Sequence, residues 1–370
     1  MKKLFLISTF IIGTVLFTSC NKGEDVINKG TEVMQITIET TGVYGFYMGG
    51  TGTAKVDWGD GSAIQTKQLI ADLENPTFFY RDYSVEGTYT IKIYGENITL
   101  LNCGGYDLIE LDISKNLALT HLDCCCGRLT SLDVSKNTAL IYLVCAANQI
   151  TELNVSKNTA LKYLNCGGNL LTELDVSNNT KLEHLSCYGL KTQLTYLNVS
   201  NNIALKELFC NFNALKTLDV SNNIALIVMR CDNNQLTELD VSKNVALREL
   251  NCHGNQLQRL NISGNTGLGF LICDRNQLQN LDISNSPVLE VLLCDDNQLR
   301  ELDVSKNPAL KTLSVEDNLF TAEALNGLFR TLHGNVVSGG KFIYIGGNEG
   351  TNTSNRDIAE NKGWIVDILQ

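Results

Sequence analysis

Ten cysteines recur along the chain at a nearly fixed interval. Cys103, Cys124, Cys145, Cys166 and Cys187 are 21 residues apart, and so are Cys210, Cys231, Cys252, Cys273 and Cys294. The one irregular step, 23 residues from Cys187 to Cys210, falls in segment 188–193. Each cysteine sits in a phrase of the form Leu-x-x-Leu-x-Cys-x-x-Asn, which alternates with a second phrase, Leu-x-x-Leu-Asp-Val-Ser-x-Asn. One more step lands on Val315, so about eleven 21-residue coils are expected over 98–318. Units this short cannot bury an apolar face alone and must stack on their neighbours, which predicts a solenoid. A phrase of ten or eleven residues has no room for a helix and its turns, while Leu-x-Cys and Leu-x-Val place alternate side chains inward. The expectation is a mainly β rod with two short parallel strands per coil, hence two parallel sheets, and weak curvature. Ten steps of about 4.8 Å give it a length of roughly 50 Å.

A column of thiols invites three chemistries. In-register parallel neighbours hold their Cβ atoms about 4.8 Å apart and pointing the same way, whereas a bridge wants about 3.8 Å, so a disulfide ladder is disfavoured. A one-dimensional stack has no tetrahedral metal geometry. Buried thiols acting as small hydrophobes fit best. His121, Asp123 and Cys125 stand at alternate positions of one strand, with Cys126 beside them, and make the one conceivable soft-metal cluster. The plainer expectation is no metal and no cofactor. The asparagine column (Asn148, Asn169, Asn213, Asn234, Asn255, Asn276, Asn297, Asn318) reads as structural, because a buried amide needs partners. In the second phrase, Asp or Asn, then Val or Ile, then Ser recurs from Asp112-Ile113-Ser114 to Asp303-Val304-Ser305. A calcium-binding ladder is weighed there against carboxylates capping turns, and capping is preferred.

The phrase Leu-x-x-Leu-x-Cys-x-x-Asn-x-Leu resembles the motif of bacterial leucine-rich repeats, and its doubling is similar to their nested 21-residue class, sometimes called IRREKO. The likeness implies a leucine-rich repeat solenoid that recognises other molecules rather than transforming them.

The N-terminus carries a different set of signals. Lys2-Lys3 precedes a 14-residue apolar run, too short to span a bilayer but suited to a cleaved export signal over 1–19. Leu16-Phe17-Thr18-Ser19-Cys20 resembles the lipobox of bacterial lipoproteins, which implies lipidation of Cys20 and a linker over 20–30. Asn21-Lys22-Gly23-Glu24-Asp25 is similar to the stretch that sends Bacteroidetes-like lipoproteins to the outer face of the outer membrane. Over 31–97 the repeat is absent and period-two runs such as Met34–Ile38 replace it. Val56-Asp57-Trp58-Gly59-Asp60-Gly61-Ser62 and Tyr83–Thr90 resemble a PKD-type immunoglobulin-like β-sandwich, expected to act as a spacer. Asp57 and Asp60 read there as turn carboxylates rather than calcium ligands.

Outward positions of the cysteine-bearing phrase change at every coil, while those of the Val phrase barely do. The expected ligand-binding face therefore comprises Tyr142, Tyr163, His184, Tyr188, Phe209, Phe212, Arg230, His253, Phe270 and Arg275, residue types enriched where proteins bind partners. Its C-terminal end turns acidic at Asp274, Asp295, Asp296, Glu316 and Asp317. Segment 319–370 alternates helical and strand signals and is expected to close the stack as a short α/β cap, with Thr321 as a helix N-cap.

The formal charge of −11 argues against a nucleic-acid partner, whose affinity rests on basic residues. Four scattered histidines and no activated nucleophile leave no catalytic constellation, so no enzyme is expected. The resulting expectation is a monomeric surface lipoprotein that uses its repeat face for adhesion or protein recognition, as internalin-like repeat proteins do. A glycan- or nutrient-capturing lipoprotein and a purely structural envelope component stand as alternatives.

Overall fold

A computed structural model describes residues 31–189 and 194–368 of the chain. The export signal, Cys20 and the linker after it, together with part of the irregular segment, lie outside the described residues. Among the described residues no helix is long and apolar enough to cross a membrane.

The cysteine-bearing phrase forms one continuous parallel sheet. Its first rung is β5 (Asn97–Asn102), followed by three-residue strands from His121–Asp123 to Thr312–Ser314. The ladder is in register throughout, with Leu101, Leu122, Leu143, Leu164, Leu185, Leu208, Met229 and Leu250 facing one another in succession. The two extra residues before Cys210 do not disturb it, since His184 still pairs with Glu207. Leucines and cysteines alternate inward along each rung. All ten column cysteines are free and buried, and burial pushes their thiols far above the ordinary range.

The rod is longer than its cysteines indicate. Lys341–Tyr344 pairs with Thr312–Ser314, and Trp364–Asp367 pairs with Lys341–Tyr344, both parallel, so thirteen rungs stack where eleven were expected. The two extra rungs belong to the segment expected to form the cap. In the twelfth rung Ile343 and Ile345 take the places of Leu and Cys, and Asn348 takes the place of the column asparagine. Between the eleventh and twelfth rungs the chain makes helix α1 (Ala322–Thr331). Thr321 accepts from the Ala324 amide at its start, and Lys362 Nζ donates to the Phe329, Arg330 and Leu332 carbonyls at its end. A single turn, α2 (Asp357–Glu360), precedes the last rung.

The second expected sheet is nearly absent. On the Val side, among the described residues, only Glu238–Asp240 and Arg259–Asn261 pair from coil to coil as a ladder. Elsewhere the amides there are used in turns: Asn137 donates to Val134 and Leu140 to Asn137, and equivalent bonds recur in the other coils. The Asp or Asn before each Val accepts from the Ser amide two residues on, as Asp133 Oδ1 does at 2.8 Å. These local bonds turn the chain so tightly that little extended backbone remains for pairing.

Segment 31–97 adds four strands, β1 (Glu32–Thr51), β2 (Thr53–Asp57), β3 (Gln65–Gln68) and β4 (Thr77–Tyr94). β1 pairs antiparallel with β4 along nearly its whole length, with a bulge between Thr40 and Gly42. Its far end pairs with β5, and its near end pairs with β6 (Leu108–Asp112), the Val-phrase half of the first coil. One long strand thus covers both sides of the open first coil. This segment was expected to be a separate sandwich. It instead shares a sheet and a continuous core with the solenoid, from Met34, Phe46 and Trp58 through Leu101 and Cys103. Tyr44 seals the junction, its buried hydroxyl donating to the Cys103 carbonyl at 3.0 Å. Asp57 and Asp60 accept from the Gly59 and Ser62 amides, and Asp60 also pairs with Arg81 at 2.6 Å.

Two asparagine columns tie the coils together. In the first, Asn234 donates to the Cys210 and Cys231 carbonyls and accepts from the Leu215 amide, all at 3.0 Å. The second was not singled out in the sequence. It runs through Asn137, Asn158, Asn179, Asn202, Asn223, Asn244, Asn265 and Asn307, all fully buried. Asn244 Nδ2 bridges to the Val220 and Asn223 carbonyls of the preceding coil at 2.9 Å, while its Oδ1 takes no partner in the protein. Ser286 occupies this column once and still reaches the Asn265 carbonyl. Both carbonyls also accept a turn amide, from Asn223 and Leu226, so Asn244→Ala removes two inter-coil hydrogen bonds without orphaning either oxygen. At about 1 kcal/mol for each bond it should lower unfolding free energy by about 2 kcal/mol. Asn244→Ser, copying Ser286, should lose about half as much. Denaturant unfolding monitored by circular dichroism checks both.

Candidate functional site

Each rung sends its odd positions outward, so equivalent residues of successive coils form columns along the rod. The column just before the central Leu carries His121, Tyr142, Tyr163 and His184 in adjacent rungs. Their rings stack along the axis, with centroids 5.8 Å apart for His121 and Tyr142, 4.5 Å for Tyr142 and Tyr163, and 4.0 Å for Tyr163 and His184. The rings of the last pair are nearly parallel, at 4°. Phe209, one column over, tilts against His184 at 5.2 Å, and Arg230 lies over Phe209 at 5.7 Å. Arg230 is in turn paired with Glu249 at 2.7 Å. The structure therefore brings Tyr142, Tyr163, His184, Phe209 and Arg230 together as one strip.

The sequence presented these rings as exposed, and the geometry corrects that. Tyr142, Tyr163, His184 and Phe209 are only half-exposed, because neighbouring rings cover one another's faces. Burial, then the neighbouring Tyr163, pushes the Tyr142 hydroxyl up to about 12, and burial also raises Tyr163. Both phenols stay protonated and can donate hydrogen bonds. Burial holds His184 below its ordinary range, although Glu207, 2.8 Å from Nδ1, pulls the other way.

The other expected residues lie elsewhere on the face. Tyr188 lies flat over Gly167, where any Cβ would meet its ring. Phe212 and Phe270 are exposed at 49% and 46%, and neither joins the ring stack. Phe212 and Arg275 stand two residues after their cysteines, in a column of left-handed backbone, with φ of 55° and 51°. His253 is half-buried and pairs with Asp274 at 2.6 Å. Beyond it the same column continues through Asp295 and Glu316. Burial, then the Asp274 charge, holds Asp295 above its usual range despite hydrogen bonds from Ser314 Oγ and the Glu316 amide. Glu316 is likewise raised, by burial and then by Asp295, Asp317 and Asp367.

The conceivable soft-metal cluster is not assembled. His121 Nδ1 lies 2.9 Å from Thr120 Oγ1, and Asp123 Oδ1 accepts from the Cys125 amide. Among the described residues no three His, Cys, Asp or Glu side chains converge to hold a metal. On the Val side each aspartate caps a turn, with one oxygen on a serine amide, as in Asp175 with Ser177 and Asp219 with Ser221.

No protein-family model matches the chain, and no curated protein matches it either. Solved structures do. InlJ of Listeria monocytogenes, described as having a functional domain that includes a cysteine ladder, superposes with a TM-score of 0.63 at 33% identity. The match covers 77% of this chain and 63% of the InlJ structure, so the chain spans less than two thirds of that relative. An internalin, InlF, of the same organism matches at a TM-score of 0.56 and 19% identity, covering 74% of this chain and 87% of its own. A leucine-rich-repeat protein of Leptospira interrogans matches at 0.53 and 20%, covering 69% and 74%. The fold is a leucine-rich-repeat solenoid. With 211 solved chains matching it, the fold does not by itself choose a function.

A carboxyl whose folded value is raised binds its proton more tightly in the folded state than in the unfolded one. Its stabilising contribution is present below the ordinary Asp value of 3.8 and is lost as pH rises through the folded value. Asp295→Asn, which keeps the acceptor for Ser314 and the Glu316 amide, should therefore raise Tm at pH 7 by about 1–2 °C. The gain over the parent chain should vanish near pH 3.5. Differential scanning calorimetry at both pH values checks the sign.

Proposed function

We propose that the chain is a non-enzymatic, surface-anchored protein-binding scaffold whose outward cysteine-sheet face grips a protein partner in recognition or adhesion. The observation that carries this reading is the edge-on ring strip from His121 to Phe209, finished by Arg230. Sugar capture by aromatic residues uses ring faces, and here the faces of Tyr142 and Tyr163 are covered by one another and by His184. Edges, phenol hydroxyls and a guanidinium instead suit side chains and backbone amides of a protein. The likeness to InlJ, cysteine ladder included, supports the same reading.

Anchoring rests on the lipobox-like Leu16–Cys20 sequence, and display on the outer membrane surface rests on Asn21–Asp25. Two or more acyl chains, each buried CH₂ contributing about 0.8 kcal/mol, would hold the protein durably. Segment 31–97, with its PKD-like sequence signals, would then serve as both spacer and N-terminal cover of the rod. The working unit is taken as a monomer.

Two experiments test this. Cys20→Ala should move the protein from the membrane fraction to the soluble fraction, read by immunoblot after fractionation; a variant that stays with the membrane defeats the anchor. For the face, Phe212→Gly combined with Arg230→Ala leaves the core untouched, and the glycine removes left-handed strain of about 1 kcal/mol. Unfolding free energy should hold or rise, while affinity for an extracellular protein partner should fall at least about tenfold, or 1.4 kcal/mol. Saturable binding to arrayed glycans alone would transfer the reading to glycan capture. Binding to neither class would leave a structural envelope component.

A further inference from the structure

Cys125 and Cys126 are the only cysteines among the described residues outside the buried column. Cys126 is exposed, Cys125 half-buried, and their sulfurs lie 3.2 Å apart. The backbone holds them side by side. The Cys126 amide donates to Ala146 of the next coil, and the Cys125 carbonyl accepts from Gly105 of the previous one. Cys126 sits at φ 63°, in the left-handed column, so the coil geometry fixes the direction of both side chains. Other coils place pairs such as Ala146-Ala147, Asp232-Asn233 and Asp295-Asp296 at these positions. No demand of the fold therefore accounts for two thiols here.

We propose that this pair is a thiol–disulfide exchange site that takes small-molecule disulfides as its co-reactant. Cys126, the exposed thiol, attacks as its thiolate one sulfur of the incoming disulfide, breaking the S–S bond and releasing one small thiol. The resulting mixed disulfide on Cys126 is attacked by Cys125, which gives its proton to solvent. A Cys125–Cys126 bond forms and the second small thiol leaves. Two protein S–H bonds and one S–S bond become one protein S–S bond and two small thiols, with two electrons passing to the small molecule.

The order of attack follows from the surroundings. Cys125 is half-buried, and that burial, reinforced by the neighbouring Asp123, disfavours its thiolate. Side-chain rotation must close the sulfurs to about 2.05 Å. Adjacent Cα atoms are only about 3.8 Å apart across a trans peptide, below the usual disulfide range of about 4.4–6.8 Å. The closed ring is therefore more easily reduced than an ordinary structural bridge, which suits exchange rather than stapling. The inference does not depend on the protein-binding reading of the face.

The test exposes the reduced, folded full chain to oxidised glutathione, quenches with acid, and maps the tryptic peptide 116–128 by mass spectrometry. The expected product has lost two hydrogens, with the bond localised to Cys125 and Cys126 and no retained glutathione. Cys125→Ser should stop at a stable glutathione adduct on Cys126, and Cys126→Ser should react at least about tenfold more slowly. The proposal is overturned by a lasting glutathione adduct on the parent chain, or by no reaction at Cys126. Because the parent chain alone decides these outcomes, a misfolded variant does not rescue it.

Discussion

Hydrogen bonds from one coil to the next govern this molecule, because no coil can satisfy its own backbone. A rung of three residues has neither the length nor the local contacts to persist alone. What it offers its neighbour is a row of amides and carbonyls plus one apolar ridge of Leu and Cys. The strand ladder satisfies the first half of each coil. The corners are more demanding, since carbonyls there point into the stack with no strand opposite. Asn148, Asn234 and their equivalents fill that gap, each making two bonds to the coil before and one to its own cysteine carbonyl. Asparagine suits the position because its carboxamide presents donor and acceptor together, as a peptide group does.

Stacking of equivalent residues has a consequence that depends on chemistry. In-register columns place like beside like at strand spacing, so whatever occupies a position meets its own kind above and below. Rings gain from this, which is why Tyr142, Tyr163 and His184 shield one another. Carboxylates lose by it: at Asp295 and Glu316 the neighbouring carboxylates add to burial in raising proton affinity. The same rule separates the cysteines into two populations. In the inward column, burial keeps the thiols protonated and inert, whereas Cys126 lies outside that environment.

The parts of the fold that the sequence disclosed are those fixed by a strict period. Cysteines at a spacing of 21 gave the rung register, and Leu-x-Cys gave the inward set. What escaped was structure whose residue identities drifted while the geometry persisted. Ile343-Tyr344-Ile345-Gly346-Gly347-Asn348 is a rung and its corner, with Ile for Leu and Cys, but α1 breaks the period before it. The nearly missing second sheet escaped for another reason. Leu-x-Val alternation is compatible with a strand or a turn, and only the local bonds of Asp and Ser to nearby amides decide between them. Likewise the period-two run in β1 marked a strand without revealing that its two halves pair with two sides of the first coil. For the face, the sequence located variable outward positions, but which rings stack and which stand alone depends on column membership: Phe209 and Phe212 are three residues apart and have different neighbours.

The left-handed column bears most directly on how the face would work. All seven non-glycine residues with positive φ among the described residues lie two positions after a column cysteine or its Val315 equivalent. Each such residue costs about 1–2 kcal/mol relative to glycine, and the coil retains that cost at Phe212, Asn233, Arg275, Asp296 and Asp317. It can do so because the next residue is the asparagine whose three bonds hold the corner, leaving the backbone no relaxed alternative. A side chain mounted on so rigid a base has little backbone freedom left to lose on binding. If the proposed face binds as argued, Phe212 and Arg275 would meet a partner with much of the ordering already done, which lowers the entropic barrier to association. The asparagine ladder that makes the rod stable also makes its variable edge stiff, and one set of hydrogen bonds serves both ends.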